Sequence, residues 1–207
     1  SWISIKKTLK ESFDVFLNQI FPTLYNAFSV LLLGVFCGPV ANGLFDAGTK
    51  LVDISQQFLK IISRTFFPFL SRKIDKHTLF SKIYMLFTLI VTLGLIFFAP
   101  FLIPVFFSEE FSESIKVLRL MAISGVFLTM SNIYGTNYLI IIGRERSLRN
   151  LTMYASLLGF VIAIPLIYYG GYMGAVAIIV FVRMLLGVGS YLLAYNCKKN
   201  ICKKNLL

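Results

Sequence analysis

Six polar residues with a regular spacing are the strongest chemical signal in the sequence. They follow one another at intervals of four and three positions: Asp46, Lys50, Asp53, Gln57, Lys60 and Arg64. At about 100° per residue, all six share one face of a helix, within a band roughly 80° wide. We call this set the polar stripe. It would extend over about 27 Å at 1.5 Å per residue, which is close to the hydrocarbon thickness of a bilayer.

The two basic residues at the end of the polar stripe predict anion binding. Lys50 has Asp46 and Asp53 within one helical turn, whereas Lys60 and Arg64 have no acidic partner on their own helix. Unpaired cations suit a pyrophosphate group, and an Arg guanidinium can bind two phosphate oxygens at once. Two structural interpretations stay open: Lys60 and Arg64 could extend to lipid headgroups, and the three earlier charges could form an intrahelical network.

Other polar residues lie within apolar segments and extend the candidate site. In the preceding segment the candidates are Asp14, Asn18, Tyr25 and Asn26. Tyr and Asn suit sugar hydroxyls, although they could equally join helices by hydrogen bonds. Asp14, Asp46 and Asp53 are candidates for ion coupling. Arg183 is a lone cation in the apolar run 176–188, and its own segment shows no partner for it.

Apolar segments long enough to cross a bilayer recur along the whole chain and must position these residues. We predict spans at about 13–36, 41–70, 80–107, 114–142, 148–169 and 173–195, separated by breakers such as Gly38-Pro39 and Gly170-Gly171. Only helices suit such spans, because lipid satisfies no backbone polar group. The predicted fold is therefore an all-α integral membrane bundle of six helices, forming one lobe over residues 1–207.

The composition supports a membrane protein and excludes several other classes. Of 207 residues, 57% are hydrophobic and 14% charged, and the mean hydropathy is +0.81. The net charge of +11 comes from short basic clusters between apolar runs, which argues against nucleic-acid binding. The three cysteines have no metal-ligand spacing, and we predict no metal or cofactor.

The basic residues also predict the orientation, since translocated loops are depleted in Lys and Arg. Fourteen lie on one side of the predicted membrane: Lys6, Lys7, Lys10, Arg72, Lys73, Lys76, Lys82, Arg144, Arg146, Arg149, Lys198, Lys199, Lys203 and Lys204. The opposite side has only Lys116 and Arg119. Both ends of the segment are therefore expected to be cytoplasmic, as an even number of spans requires.

An enzyme such as a membrane glycan polymerase or acyltransferase is the main alternative of another class. The sequence has a single histidine, His77, which is expected to be a solvated loop residue, and it shows no paired catalytic carboxylates. We therefore predict no enzymatic activity. A structural scaffold is also possible in principle, but it leaves the polar stripe unexplained.

The first two predicted spans carry a family resemblance. LKESFDVFLNQIFPTLYNAFSVLLLG (residues 9–34) followed by GPVANGLFDAGTKLVDISQQFLKIISRTFFPFLSR (residues 38–72) resembles the seventh and eighth helices of the O-antigen flippases. The later GRERSLRN stretch (residues 143–150) is similar in character. These flippases form the polysaccharide transporter group of the multidrug, oligosaccharidyl-lipid and polysaccharide exporter superfamily.

The resemblance implies a bacterial inner-membrane protein of two lobes around a cationic cavity, which flips undecaprenyl-pyrophosphate-linked sugar units by alternating access. The chain, which begins at Ser1 without Met, would be the C-terminal lobe in a fragment. Its implied partners are the lipid-linked oligosaccharide, membrane lipids, an N-terminal lobe and the glycan polymerase machinery. An ion-coupled multidrug exporter of the same superfamily is the alternative. Three cations against two acids in the polar stripe favour anionic cargo instead.

Overall fold

The fold is that of a computed structural model, which describes the backbone of residues 2–204 and the side chains of Phe16, Ile20 and residues 26–199. Four long helices are present in this part of the chain: α1 (Trp2–Arg72), α2 (His77–Phe107), α3 (Ser114–Ser131) and α4 (Glu145–Lys204). Short 3-10 turns, Ile74–Lys76 and Glu109–Phe111, precede and follow α2. The end of α3 continues into a π-helical segment, Asn132–Ile140, whose turns are wider than α-helical turns.

Helices α1 and α4 each contain one glycine whose backbone is not helical. Gly38 has φ 80° and ψ 178°, and Gly171 has φ 56° and ψ −140°, conformations that only glycine adopts at little cost. Residues eight positions apart would be separated by about 12 Å along a continuous helix. Instead, a Cβ on Gly174 would clash with the carbonyl oxygen of Leu166, and one on Gly34 would lie 3.1 Å from Asn42 Nδ2. The chain therefore folds back sharply at both glycines.

The expected count of six separate helices is not confirmed, because the described residues form four. All four are long and apolar enough to cross a membrane. The described stretches of α1 and α4 contain 47 and 55 residues. At 1.5 Å per residue these stretches would extend about 70 and 80 Å if straight, more than twice the roughly 30 Å of bilayer hydrocarbon. The all-helical membrane architecture that the sequence predicts is confirmed.

The surface of α2 is inverted relative to that of a helix in a water-soluble protein. Its buried face is formed largely of small or polar side chains, including Ser81, Thr88, Thr92 and Ala99. Its exposed face is formed of large apolar side chains: Leu86, Ile90, Leu93, Phe97, Phe101 and Val105, all at least 60% exposed. Exposed apolar area of this extent is unfavourable in water and favourable against lipid chains. The outer face of α2 therefore suits a bilayer.

The core brings α1, α3 and α4 into close contact. Leu33 and Val52 of α1, Leu118 of α3 and Ile178 of α4 are fully buried in one cluster. Glycines let the helices approach closely, as Gly187 of α4 does against the backbone of Phe127. This packing fixes how each helix is rotated about its axis, and so decides which side chains α1 presents outward.

Candidate functional site

The polar stripe lies on the surface of the bundle. All six of its side chains are exposed. On the opposite face of α1, Phe45, Val52 and Leu59 are at most 4% exposed. The part of α1 after Gly38 therefore packs its apolar face on the bundle and presents a continuous polar face outward. This is the arrangement that the helical spacing predicts.

Three hydrogen bonds from neighbouring helices hold the buried face of α1 at different heights. Ser114 Oγ donates to the carbonyl oxygen of Leu44 at 2.8 Å, and Tyr84 Oη donates to that of Leu59 at 2.6 Å. Asn137 Nδ2 donates to Ser63 Oγ at 2.7 Å. Bonds of this kind join helices where no water competes for the donors. Together they prevent α1 from rotating and keep the polar stripe directed away from the bundle.

Lys60 and Arg64 are exposed cations near the end of α1. In the described part of the chain, no acidic group forms an ion pair with either side chain or with Lys50. The intrahelical network of Asp46, Lys50 and Asp53 that the spacing allows is therefore not seen as ion pairs. Three cations of the polar stripe remain available to an anion.

Arg183, for which the sequence indicates no partner, contacts two other helices. Its Nη1 donates to Ser124 Oγ of α3 at 2.9 Å, and its Nη2 lies 3.9 Å from Asp53 Oδ1 of α1. The Arg183 side chain is 11% exposed and that of Asp53 is 52% exposed. Arg183 thus approaches the polar stripe from the interior of the helix bundle. Asp53 belongs to the stripe and also contacts this interior cation.

Two polar side chains, Gln56 of α1 and Thr129 of α3, have buried oxygen atoms. Gln56 packs on Gly125 so closely that its Nε2 lies 2.5 Å from where a Cβ would be. The Oε1 atom of Gln56 and the Oγ1 atom of Thr129 are buried without a hydrogen-bond partner in the described structure. Buried oxygen atoms without a hydrogen-bond partner are costly in a folded protein.

Comparisons with known proteins identify one matching family and two similar proteins. Residues 3–74, which include the whole stripe, match a family described as "Polysaccharide biosynthesis protein". A protein of Shigella dysenteriae described as an O-antigen transporter is 30% identical over 185 residues, covering 86% of this chain and 46% of that protein. A second protein so described, from Escherichia coli (strain K12), is 23% identical over 175 residues, covering 79% of this chain and 41% of that protein.

The chain belongs to the same family as these O-antigen transporters. The family resemblance noted in the sequence is thereby confirmed, and with the long apolar helices it makes this a multi-pass bacterial membrane protein. The chain spans less than half the length of both transporters. No solved structure matches it.

Three candidate residues before Asn26 lie outside the side chains that the structure describes. They are Asp14, Asn18 and Tyr25. Asn26 itself is half-buried. It lines a surface hollow of about 760 Å³ together with Gly34 and Asn42, and no residue of the polar stripe lines that hollow. Asn42 Oδ1 is buried there without a partner. The structure therefore does not bring Asn26 and the polar stripe into one site.

The expectation that His77 is a solvated loop residue is wrong. Its side chain is 6% exposed, and Nε2 lies 3.0 Å from the carbonyl oxygen of Ile133. The ring lies 5.0 Å from that of Tyr138. His77 is the first residue of α2, and the π-helical segment covers it. This contact joins residues 56 positions apart, so no local sequence pattern could indicate it.

Proposed function

We propose that this chain is one lobe of a flippase that moves polyprenyl-pyrophosphate-linked oligosaccharide units from the cytoplasmic to the outer leaflet. The observation that carries the proposal is the exposed polar stripe on a helix apolar enough to cross a membrane. An ion facing lipid near the midplane costs about 2.5 to 3.5 kcal/mol. The stripe therefore faces protein or water, as the wall of a transport cavity would.

The charges of the polar stripe favour an anionic cargo. Asp53 interacts with Arg183, which leaves Asp46 as the remaining acid among Lys50, Lys60 and Arg64. A pyrophosphate entering at the cytoplasmic side would meet Lys60 and Arg64 first, and the sugars would follow along the stripe. A multidrug exporter for cationic compounds would require more free acidic groups. The two relatives described as O-antigen transporters support the same cargo class and a role that is not enzymatic.

A second lobe completes the cavity in this proposal. The polar stripe is exposed in this chain. Both relatives are more than twice as long as the segment that aligns with it, so a protein of their length has further residues that could cover the stripe. An N-terminal lobe that faces the stripe would close the cavity around the cargo. Alternating access would then move the two lobes against each other while the stripe lines the path.

The proposed topology has six crossings with both ends of the segment in the cytoplasm. The reversals at Gly38 and Gly171 support it, since each divides a helix of about twice the bilayer thickness. The distribution of basic residues supports the orientation. In this arrangement, Lys60 and Arg64 lie toward the cytoplasmic end of their crossing.

Replacing Lys60 or Arg64 by Ala in the full-length protein tests the proposal. We expect loss of a charge-assisted phosphate contact to reduce export by about tenfold or more, since each such contact contributes roughly 1.5 to 3 kcal/mol. Lys60→Arg should retain more activity than Lys60→Glu, which would repel the cargo. Surface O-antigen on cell envelopes measures export, and immunoblots of membranes measure insertion.

Lys82→Ala is the matched control, because Lys82 is an exposed lysine on α2 that does not belong to the polar stripe. It should leave export unchanged. Normal O-antigen export by the Lys60→Ala and Arg64→Ala variants would refute the anion-binding role. Loss of resistance to cationic drugs with unchanged O-antigen would instead support the multidrug alternative.

A further inference from the structure

A second polar cavity lies beside the start of α2. It has a volume of about 450 Å³ and lies between the start of α2, the π-helical segment and the end of α4. Its most frequent residue is tyrosine, with Tyr134, Tyr138, Tyr191 and Tyr195 in the wall. We call it the tyrosine pocket. No residue of α1 lines it, so it is separate from the polar stripe.

The wall of the tyrosine pocket is organised by interactions between its members. Tyr134 and Tyr191 are in edge-to-face contact, with ring centroids 5.0 Å apart. His77 packs beside Tyr138, and its Nε2 faces the carbonyl oxygen of Ile133, so Nε2 carries a proton. In the neutral ring, Nδ1 is then an acceptor, and no described residue donates to it. The π-helical segment supplies both Tyr134 and Tyr138, and such segments frequently occur at functional sites.

The mouth of the pocket carries one charge of each sign. Asp75, before α2, and Lys198, near the end of α4, both line it and are both exposed. They form no ion pair with each other in the described structure. A ligand that carries both a cation and an anion would complement both. The faces of the tyrosine rings would attract the cationic group as well.

An apolar path leads along α4 into the pocket. Met184, Val188, Tyr191 and Tyr195 are exposed at intervals of four, three and four positions, and so share one face of the helix. This face extends over about 16 Å, which is about half the hydrocarbon thickness. It starts within the apolar run and ends at two side chains of the pocket wall. An acyl chain could lie along it while its headgroup occupies the pocket.

We propose that the tyrosine pocket binds the headgroup of a zwitterionic aminophospholipid of the phosphatidylethanolamine type. Lys198 binds the phosphate, Asp75 accepts hydrogen bonds from the ammonium group, and the ring faces of Tyr191 and Tyr195 cover that ammonium. The acyl chains lie on the exposed face of α4. This site does not depend on the cargo of the transporter, and it would hold a membrane lipid between the ends of α2 and α4.

Native mass spectrometry of the purified full-length protein tests this assignment. The protein in detergent is mixed with equal amounts of phosphatidylethanolamine and phosphatidylglycerol that carry the same acyl chains. We expect at least about threefold greater retention of phosphatidylethanolamine, and Asp75→Asn should remove this preference. Lys198→Gln should reduce retention of both lipids about three- to tenfold, as expected for one charge-assisted hydrogen bond at a partly exposed site.

Matched variants separate the pocket from general contact with lipid. Lys199→Gln changes the neighbouring exposed lysine, which does not line the pocket, and it should leave retention unchanged. Tyr191→Phe should bind as the parent protein does, whereas Tyr191→Leu should bind less, since only the former keeps the ring face. Equal or greater retention of phosphatidylglycerol by the parent protein would overturn the proposal. Equal losses of lipid retention in Lys198→Gln and Lys199→Gln would also overturn the proposal. That result would identify the tyrosines as part of an interfacial aromatic belt.

Discussion

Arg183 and Asp53 show how a charged side chain is kept inside an apolar helix bundle. Arg183 is almost fully buried, yet Ser124 and Asp53 provide it with a hydroxyl oxygen and a carboxylate. Asp53 is half exposed, so the pair lies between the bundle interior and the polar stripe. The pair thus links α4 to the helix that carries the proposed cargo site. Its strength is limited, because the two charged groups are 3.9 Å apart and one is open to solvent.

A double-mutant cycle of Asp53→Asn and Arg183→Gln measures this interaction. We expect a coupling of about 0.3 to 1 kcal/mol in thermal unfolding of the protein in detergent, as for pairs with one exposed partner. Asp46→Asn combined with Arg183→Gln is the control, because Asp46 forms no ion pair with Arg183. Additive effects of Asp53→Asn and Arg183→Gln would show that the two charges do not interact significantly.

The position of α1 depends on close approach to α3. A Cβ on Gly48 would lie 2.5 Å from Val117 Cβ and 2.9 Å from the carbonyl oxygen of Ser114, both on α3. Gly48 is buried, and Ser114 also donates its hydroxyl to Leu44 of α1. The same short stretch therefore combines a small-residue contact with an interhelical hydrogen bond. It fixes α1 at the level where the polar stripe begins.

Gly48→Ala should separate α1 from α3 and destabilise the bundle by about 1 to 3 kcal/mol, the usual cost of overpacking. The melting temperature in detergent measures this effect. Gly94→Ala is the matched control, since a Cβ on Gly94 of α2 would meet nothing within 4 Å. That substitution should leave the melting temperature unchanged or raise it, because alanine favours the helix by about 1 kcal/mol. Equal melting temperatures for the two variants would contradict the tight contact at Gly48.

The described part of the chain has connections of opposite charge and many exposed apolar side chains. The loop between α2 and α3 carries Glu109, Glu110 and Glu113, whereas the end of α1 and the turn that follows it carry Arg72, Lys73 and Lys76. Basic loops remain in the cytoplasm during insertion. In the proposed topology these two connections therefore lie on opposite sides of the membrane.

Single cysteines at Ser71 and Ser112 test this topology, after the native cysteines are replaced by serine. Both positions are exposed serines, one in each connection region. A membrane-impermeant maleimide should label Ser112→Cys in spheroplasts, and should label Ser71→Cys only after the membrane is permeabilised. The reverse pattern, or labelling of both in intact spheroplasts, would contradict the proposed orientation.

Features that depend on short stretches of chain could be predicted from the sequence. Periodicity within one helix placed the polar residues of α1 on one face, because successive side chains turn by a constant angle. The breakers Gly38-Pro39 and Gly170-Gly171 marked where α1 and α4 reverse, because positive φ is cheap only for glycine. Apolar length indicated the membrane class, since burial in lipid requires about 20 apolar residues per crossing.

Features that depend on helix packing were decided only by the tertiary structure. Arg183 and Asp53 are 130 positions apart in the sequence, and His77 is buried by a segment 56 positions away. Such contacts depend on how each helix is rotated and where it crosses its neighbours, which results from packing across the whole bundle. The chemical character of the polar stripe was therefore a property of the sequence. The tertiary structure decided that the polar stripe faces outward and that Arg183 approaches it from the bundle interior.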